Sequence, residues 1–391
     1  MIRGSSARRA GISLALGATL ACAAAAPAAA QEPELVAEGL ANPRGMSFGP
    51  GGKLYVAEAG RGGPGPCAEG GEGGQSCYGP TGAIARVNVR SGAVRRILKG
   101  LPSHAAQEGE PPAPGAPPPP PGSDATGPHD ISFHGSKGYF VIGLGADPAA
   151  RAQLGSAGRR FAGLYRIRRN GGVRRIADLG AYEQRKNPDG TPAEEGGVDT
   201  NPFSLDATGR KRILVTDAGG NDLLSVGRSG RVRTVAVFPG GMAPAPPFLE
   251  LPPGAEMPYQ AVPTGVVRAR DGSAYVGQLT GFPFPADAAK VFHVEGGEPE
   301  VHAEGFTNIV DIARGRSGEL YVLQISATGF LSDTPTTGKL VRVAADGSQT
   351  ELAAEKLETP TGIAVRRNGD IYVATNGSSP DGAQIVRIAA E

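Results

Sequence analysis

The feature that most constrains this chain is a spacing that recurs six times. In each copy a small or acidic residue stands two places after an anchor residue, and a large apolar residue stands twelve places after that anchor. A glycine-containing turn such as Arg367-Asn368-Gly369-Asp370 separates two short apolar runs, which is typical of a β-hairpin. The six copies run from anchor to apolar residue as Pro43–Tyr55, Pro128–Phe140, Pro202–Leu214, Pro263–Tyr275, Ile309–Tyr321 and Pro360–Tyr372.

A second hairpin follows the first in most copies. After Tyr321, for example, come the run Leu340–Val343, a turn at Asp346-Gly347 and the run Glu351–Ala353. The copies begin 46 to 85 residues apart, and no stretch sustains the 3.6-residue period of an amphipathic helix. Repeating units of four short strands are the signature of propeller blades. The sequence therefore predicts an all-β fold, a six-bladed β-propeller of four-stranded antiparallel blades.

The two ends of the chain complete this count. The last copy supplies only three strands, ending with the run Ile385–Ile388, and an unmatched strand-like run lies at Glu34–Leu40. Pairing these two segments in one blade would close the ring and remove two open sheet edges. We therefore expect closure by the terminal strands, with a frayed N-terminal tail as the alternative.

The first 30 residues have the organisation of a secretory signal peptide. Arg3, Arg8 and Arg9 precede the apolar run Ile12–Ala26, and Ala28-Ala29-Ala30 precedes Gln31. This order of basic, apolar and small residues predicts a segment that is removed on export and does not span a membrane. Residues 31–391 are then expected to form a single propeller domain of a secreted protein.

Two other kinds of export signal fit this segment less well. Ala10-Gly11 after the two adjacent arginines is a poor match to a twin-arginine signal, and Thr19 stands where a lipidated Cys22 would require leucine. Removing three arginines leaves 36 of the 39 basic residues against 38 acidic ones, a net charge of −2. No nucleic acid or anionic membrane is indicated as a partner.

Cys67 and Cys77 are the cysteines that remain after cleavage, and both lie in a glycine-rich segment at 60–82. An even pair in an exported chain predicts a disulfide. A zinc site is the alternative, although two thiolates without a nearby histidine make a poor ligand set.

Connection lengths predict a difference between the two ends of the propeller. The turns joining strands one to two and three to four of each blade are short, whereas every long connection joins strands two to three or one blade to the next. In an antiparallel blade the short turns all emerge at one end of the propeller, which we call the turn face. The long connections emerge at the opposite end, which we call the loop face. Binding residues are usually carried by loops on a rigid scaffold, so the loop face is the predicted working face.

The repeat alignment also selects candidate site residues at the channel mouth on the loop face. Positions two and fifteen after each anchor begin strand one and end strand two, close to the axis. Polar residues there and in adjoining turns could hold a ligand or a hard divalent cation such as calcium; alternatively, they cap turn amides. The predicted ligand-binding residues are Glu58, His129, Asp130, Asp217, Asn221, Asp222, Gln278, Asp311, Gln324 and Asn376.

Common catalytic motifs are missing from the sequence. It contains no H-E-x-x-H, G-x-S-x-G or P-loop pattern, so the catalytic residues, if there are any, are unknown. The insertion at 106–127 holds eight prolines between Pro111 and Pro121, which favours an extended spacer or a ligand for an aromatic groove.

Several motifs together resemble the ScyD/ScyE family of exported proteins, which is related to NHL-type six-bladed propellers. The similarity covers the chain from Glu34 onward, and the family is linked to the assembly of an indolic pigment. It offers no agreed catalytic residues that would transfer to this chain. The matching segments are Pro43-Arg44-Gly45, Leu54–Gly60, Gly127-Pro128-His129-Asp130, Val215–Asn221 and Pro263-Thr264-Gly265.

Two classes of function fit these observations. The first is an exported binding or scaffold propeller, expected to be a monomer, that holds a small molecule, glycan or protein on its loop face. The second is a metal-dependent hydrolase or lactonase, or a secondary-metabolite oxidase, that uses the same channel mouth. Fold alone does not decide between them.

Overall fold

The computed structural model describes Met1 and residues 32–69, 75–107, 120–192, 197–332 and 337–390. The contacts divide the chain into Met1–Ala30 and a second compact unit, Gln31–Glu391. The predicted signal peptide lies outside the described residues except for Met1. In the described parts of the chain no helix is long and apolar enough to cross a membrane.

The second unit is the predicted propeller, with six four-stranded antiparallel blades. Blade 1 carries one additional short strand, β4, and a separate two-stranded hairpin, β15 and β16, follows blade 3. In blades 1 to 5 the four strands follow one another in chain order.

Blade 1 consists of β2 (Pro43–Phe48), β3 (Leu54–Glu58), β5 (Gln75–Val87) and β6 (Val94–Ala106), with the additional β4 (Cys67–Glu69). Blade 2 consists of β7 (Pro128–His134), β8 (Lys137–Ile142), β9 (Gly163–Ile167) and β10 (Val173–Asp178). Blade 3 consists of β11 (Pro202–Asp206), β12 (Arg212–Asp217), β13 (Asp222–Gly227) and β14 (Val232–Val237). The extra hairpin comprises β15 (Gly241–Pro244) and β16 (Glu256–Tyr259). Blade 4 consists of β17 (Pro263–Arg268), β18 (Ala274–Gln278), β19 (Ala289–Glu295) and β20 (Glu298–Phe306). Blade 5 consists of β21 (Ile309–Arg314), β22 (Leu320–Gln324), β23 (Thr337–Val343) and β24 (Gln349–Glu358). Blade 6 consists of β25 (Gly362–Val365), β26 (Ile371–Thr375), β27 (Ala383–Ile388) and, as its outer strand, β1 (Glu34–Leu40).

Short helices occur only in connections among the described residues. The α-helices are α1 (Gly155–Gly158) and α2 (Leu179–Lys186), and 3-10 turns occupy Pro50–Gly52, Pro148–Ala152 and Pro247–Leu249. Helix α2 begins where the side chain of Asp178 accepts a hydrogen bond from the Ala181 amide at 2.9 Å, a typical N-cap. It ends at Asn187, which has a positive φ of 38°, as helix C-caps often do.

The predicted ring closure is confirmed. Strand β1 pairs antiparallel with β27, and Glu34 lies opposite Arg387 while Leu40 lies opposite Ala383. The N-terminal segment is therefore the outer strand of blade 6 rather than a frayed tail. Closure joins the chain ends within one sheet, so blade 6 has no missing strand at its outer edge.

The blades are held to their neighbours by apolar clusters, one at each of the six interfaces. Between blades 2 and 3, for example, Val141 and Leu164 pack with Leu205, Val215 and Leu224. Between blades 6 and 1, Leu40 and Ile385 pack with Leu54 and Val56. Burial of such side chains is the main driving force for folding, and here it fixes the blades around the axis.

The loop face is more structured than its sequence predicts. The segments at 60–82 and 101–127 are partly strand, because β4 lies within the first, and β5 and β6 extend into the first and second. Backbone pairing lengthens this hairpin as far as Ser76 and Ala106. The disulfide between Cys67 and Cys77 is confirmed: the two residues face each other in the register of β4 and β5. Most of the Pro-rich insertion, residues 108–119, lies outside the described residues.

Candidate functional site

The innermost strands β2, β7, β11, β17, β21 and β25 contact one another around the axis. Glycines permit this close approach at the position two places after the anchor. A Cβ atom on Gly362 would fall on the carbonyl of Arg44, and one on Gly265 would fall on the amide of Ile312. A Cβ on Gly45 would collide with the carboxylate of Asp130. These glycines are needed for packing, since any side chain would separate the blades.

Asp130 is buried at this level and is bonded to its own blade and to the next. One carboxylate oxygen accepts the Ile131 amide at 2.6 Å. The other accepts the Leu205 amide and the Ser204 hydroxyl of blade 3, each at 2.8 Å. Burial raises the pKa of Asp130 to about 7, although these donors oppose the shift. Its carboxylate ties blade 2 to blade 3.

Asp311 makes the equivalent connection on the opposite side of the ring. Its oxygens accept the Ile312 amide at 2.8 Å and the Ile363 amide of blade 6 at 3.0 Å. Burial, and then the charge of Asp130, raise the pKa of Asp311 well above its usual value. The structure thus gives both channel aspartates backbone partners in neighbouring blades.

Three of the predicted residues at the end of strand two share another local role. Each accepts a hydrogen bond from the backbone of the preceding blade-to-blade link. Glu58 accepts the Ala41 amide at 3.0 Å, Asp217 the Asn201 amide at 2.5 Å, and Gln324 the Thr307 amide at 2.6 Å. Glu58 also forms a 2.7 Å ion pair with Arg96. These side chains fix the links to the sheet.

The other predicted amides lie in adjoining turns or strand ends. Asn221 has a positive φ of 49° and donates to Asp189 at 2.9 Å while accepting the Val262 amide at 3.0 Å. Asn376 also has a positive φ, 51°. Gln278 is buried, and its carbonyl oxygen has no hydrogen-bond partner. Among the described residues, no hydrogen bond joins the side chains of Asn221, Gln278 and Asn376.

His129 lies at the start of the innermost strand β7 and is poorly suited to proton transfer near neutral pH. Its ring is buried, its Nδ1 has no hydrogen-bond partner, and it lies 5.2 Å from the ring of Phe203. Burial, with a smaller contribution from the charge of Arg44, lowers the pKa of His129 to about 3. The imidazole is neutral at pH 7, and its environment strongly resists protonation.

Sequence reasoning missed Arg44, which lies beside these residues on the loop face. Its guanidinium donates to the carbonyls of Gly377 at 2.8 Å and Ala125 at 3.0 Å, and it pairs with Asp124 at 3.3 Å. Arg44 therefore connects blades 6, 1 and 2. Arg44 directly follows the anchor Pro43 in the sequence, but the repeat alignment assigned no role to the position after an anchor.

Several carboxylates lie close together around the end of β12. Asp217 and Asp222 face each other in the register of β12 and β13, and both are buried. Glu183 of α2 is buried against the same turn, and burial followed by the charges of Asp217, Asp189 and Asp199 raises its pKa to about 8. Glu183 follows no repeat spacing, so the alignment did not select it.

This cluster is not a ready-made metal centre of several carboxylates. Within the described ranges, no group of three or more His, Cys, Asp or Glu side chains is arranged to hold a metal ion. The divalent cation predicted at the channel mouth would also find few free ligand atoms on Asp130 and Asp311, because both carboxylates already accept hydrogen bonds from backbone amides.

A second surface that the sequence did not reveal lies on the loops of blades 3 to 5. The rings of Phe248, Phe282, Phe284 and Phe330 follow one another with centroid separations of 6.3, 6.0 and 5.1 Å. They come from three separate connections, at 238–262, 279–288 and 325–336. We call these four rings the aromatic ridge.

The turn face carries a different feature, a cavity of about 480 Å³ between blades 3 and 4. Its lining includes Asp271, Ser273 and Glu295 from short turns and strand ends, and Thr234 from within β14. Asp271 is held by its own turn, since it accepts the Ser273 hydroxyl at 2.6 Å. None of the predicted site residues lines the cavity, although Thr234 in its wall lies close to Asp222.

No family model and no curated protein matches this chain. Solved structures do match. A Thermus thermophilus protein described as a putative oxidoreductase (glucose dehydrogenase) is 16% identical, with a TM-score of 0.52 over 92% of this chain and 100% of that one. The PQQ-bound aldose sugar dehydrogenase of Streptomyces coelicolor is 14% identical, with a TM-score of 0.50 over 92% and 99%.

A gluconolactonase from Xanthomonas campestris gives a comparable match. It is 11% identical, with a TM-score of 0.50 over 93% of this chain and 97% of that one. At such low identity these similarities show the fold alone. Together with the blades described above, they show that the chain has the fold of a six-bladed β-propeller.

Proposed function

We propose that this protein is an exported binding propeller that docks a protein partner on the aromatic ridge of its loop face. The observation that carries the proposal is the exposure of aromatic rings contributed by three separate loops. Phe248 is 62% exposed, and Phe282 and Phe330 are each 38% exposed. Met242, Leu249, Leu251 and Leu331 are exposed in the same loops.

Exposed apolar side chains gathered in one region generally mark an interaction surface. Aromatic residues and methionine are enriched at protein interfaces, and a few aromatic side chains often supply most of the binding free energy. In contrast, Leu35 and Val301 are exposed singly on the outer strands β1 and β20, as isolated apolar residues are on most proteins. The ridge is therefore distinct from ordinary surface apolar residues.

The charge of the three loops defines the partner further. In the sequence, residues 238–262, 279–288 and 325–336 contain no Lys, Arg or His but four acidic residues. Of these, Glu250, Glu256 and Asp287 are exposed in the structure. A complementary partner presents an apolar patch bordered by Lys and Arg, because charge complementarity guides and selects association. An anionic membrane surface would be repelled.

The backbone beneath the ridge is held in a defined conformation. Thr280, Phe284 and Asp287 have positive φ values of 74°, 54° and 58°, which cost free energy in residues other than glycine and cluster at functional sites. The amide of Gly281 donates to Gln260 at 2.8 Å, and that of Asp287 to Thr307 at 3.0 Å. Such preorganisation lowers the entropic cost of binding.

The hydrolase alternative has less support. Its channel-mouth carboxylates, Asp130 and Asp311, are occupied by backbone donors, and His129 is shielded from protonation. Membership in the ScyD/ScyE family rests on the quoted motifs and is proposed on that basis. Export through the N-terminal segment is likewise part of the proposal.

The test uses a photo-reactive phenylalanine analogue in place of Phe248 or, as a control, of Val301. After irradiation in the culture fluid of the producing organism, cross-linked proteins are identified by mass and produced separately. Isothermal titration then compares the wild-type chain with a double variant, Phe248→Ala with Phe330→Ala, and with Val301→Ala. We expect the double variant to lose at least about tenfold in affinity and Val301→Ala to bind as wild type.

Equal binding of a purified partner by the double variant and wild type would overturn the proposal. A glycan or small-molecule panel provides the competing outcome. A ligand from that panel whose binding depends on Phe248 and Phe330, with no protein cross-linked at 248, would replace the protein partner by that ligand class.

A further inference from the structure

Two carboxylates on the loop face are buried with almost no hydrogen bonds to compensate them. Glu183 is 1% exposed and neither of its oxygens has a hydrogen-bond partner, and Asp222 is fully buried. The hydroxyl of Thr234 acts on Asp222 as a hydrogen-bond donor and is also hydrogen-bonded to the phenol of Tyr182 at 3.0 Å. Buried carboxylates are normally paired, since an unpaired charge removed from water is costly.

The fold brings these side chains together at one turn. Helix α2 presents Glu183 to the turn between β12 and β13, where its Oε2 lies 3.0 Å from the position that a Cβ on Gly220 would occupy. Asp222 begins β13, two residues beyond this glycine. Gly220 therefore leaves space at the point toward which Glu183 is directed.

Asp217 adds charge to this turn but has little capacity for a further ligand. One of its oxygens accepts the amides of Asn201 at 2.5 Å and Gly220 at 3.2 Å, and the other accepts the Thr200 hydroxyl at 2.6 Å. Asp189 and Asp199 lie on the adjoining link and act electrostatically on Glu183. The nearby charges that act on Glu183 and Asp222 are those of other carboxylates.

We propose that Glu183 and Asp222 bind a hard divalent cation of the calcium class. A cation would take the place of the protons that burial favours on these two carboxylates, and it would compensate the negative charge of the carboxylates around them. The described cluster consists of oxygen donors and contains no histidine or cysteine, which favours calcium over zinc or copper.

Two carboxylates are sufficient for such a site. Calcium takes six to eight oxygen ligands, and backbone carbonyls and water commonly supply most of them. This agrees with the finding that no three acidic, His or Cys side chains in the described segments form a metal centre. Asp217 has the role of a neighbouring charge whose position is fixed by its own hydrogen bonds.

The location indicates what the cation would do. Asn221, between Gly220 and Asp222, is bonded to Asp189 on the link before blade 3 and to Val262 on the link after it. A cation at this turn would join α2 and both links to the end of blade 3. Its role is therefore stabilisation of the loop face, independent of whether the aromatic ridge binds a protein.

The experiment measures calcium binding to the mature chain after removal of metals with a chelator. We expect isothermal titration with calcium chloride to give about one ion per chain, and saturating calcium to raise the melting temperature by about 3–5 °C, because a ligand that binds only the folded state stabilises it. Glu183→Gln and Asp222→Asn together should abolish both effects while the chain still folds, since the amides keep the shape and remove the repulsion. Glu300→Gln, on the exposed face of β20, serves as the matched control.

The two kinds of outcome are clearly separated. If the chelator and added calcium leave the wild-type melting temperature unchanged, and titration shows no saturable binding, the proposal is wrong. The same conclusion follows if the double variant responds to calcium as strongly as wild type and the Glu300→Gln control.

Discussion

Ring closure can be tested with two leucines of the same strand. Leu40 is fully buried between blades 6 and 1, whereas Leu35 on the same β1 is 53% exposed. Leu40→Ala removes apolar contacts with Leu54, Val56 and Ile385 without altering the backbone. Leu35→Ala makes the same chemical change on the solvent side, so it controls for strand propensity.

The magnitude follows from the packing. Leucine-to-alanine changes in rigid cores cost about 3–5 kcal/mol, which includes the cavity left behind. The neighbours of Leu40 lie on paired strands that have little freedom to collapse, so we expect about 3–4 kcal/mol. Residues 31–391 unfold with an entropy of about 0.75 kcal/mol/K. The melting temperature should therefore fall by about 4–5 °C, and the exposed control should change stability by less than about 0.5 kcal/mol.

Thermal and urea unfolding of both variants, followed by circular dichroism, gives the two values directly. A loss for Leu40→Ala no greater than that for Leu35→Ala would refute the closed blade, because β1 would then contribute nothing to the interface. Deletion of residues 31–40 extends the test and should cost more than Leu40→Ala, since it also removes the outer strand's backbone pairing.

Two further predictions concern the disulfide and pH. Alkylation of the exported protein without reductant should find no free thiol at Cys67 or Cys77, and two alkylated thiols in the intact mass would contradict the disulfide. The double serine variant should still unfold cooperatively, because the bridge closes only a local hairpin. The folded-state pKa of about 3 for His129 lies below its unfolded value, so only the unfolded chain takes up this proton as the pH falls from about 6.5 to 3, and stability is lost in that window. The raised pKa of Asp130 changes stability with pH in the opposite direction. The measurement is therefore the difference in melting temperature between wild type and His129→Gln from pH 7 to pH 4. Parallel curves for the two proteins would show that His129 is not shielded from protonation.

Much of the fold could be predicted because its signals are local. The alternation of short apolar runs with turns at residues such as Gly369, which has a φ of 102°, specifies hairpins without reference to the rest of the chain. Repetition of that pattern gives the number of blades, and the strand missing from the last copy gives the closure. The cysteine pair was equally readable, because Cys67 and Cys77 are ten residues apart in one connection.

The candidate site was only partly predictable, because side-chain roles depend on residues distant in sequence. The alignment placed Asp130 and Asp311 correctly at equivalent positions on the innermost strands. It could not show that amides of Leu205 and Ile363, contributed by the following blades, would occupy their oxygens. Whether a carboxylate is free to bind a ligand is decided by these long-range donors, and spacing along the chain contains no information about them.

The sequence by itself determined the six blades, their closure and the disulfide, since each follows from a pattern of neighbouring residues repeated along the chain. Tertiary structure alone decided that Glu183 is buried without a partner beside Asp222, and that Phe248, Phe282 and Phe330 from three loops form one exposed surface. The physical reason is that burial and unmet hydrogen bonds arise only when distant segments pack together. The insertions that supply these residues follow no repeat, so their chemistry becomes visible only in the folded chain.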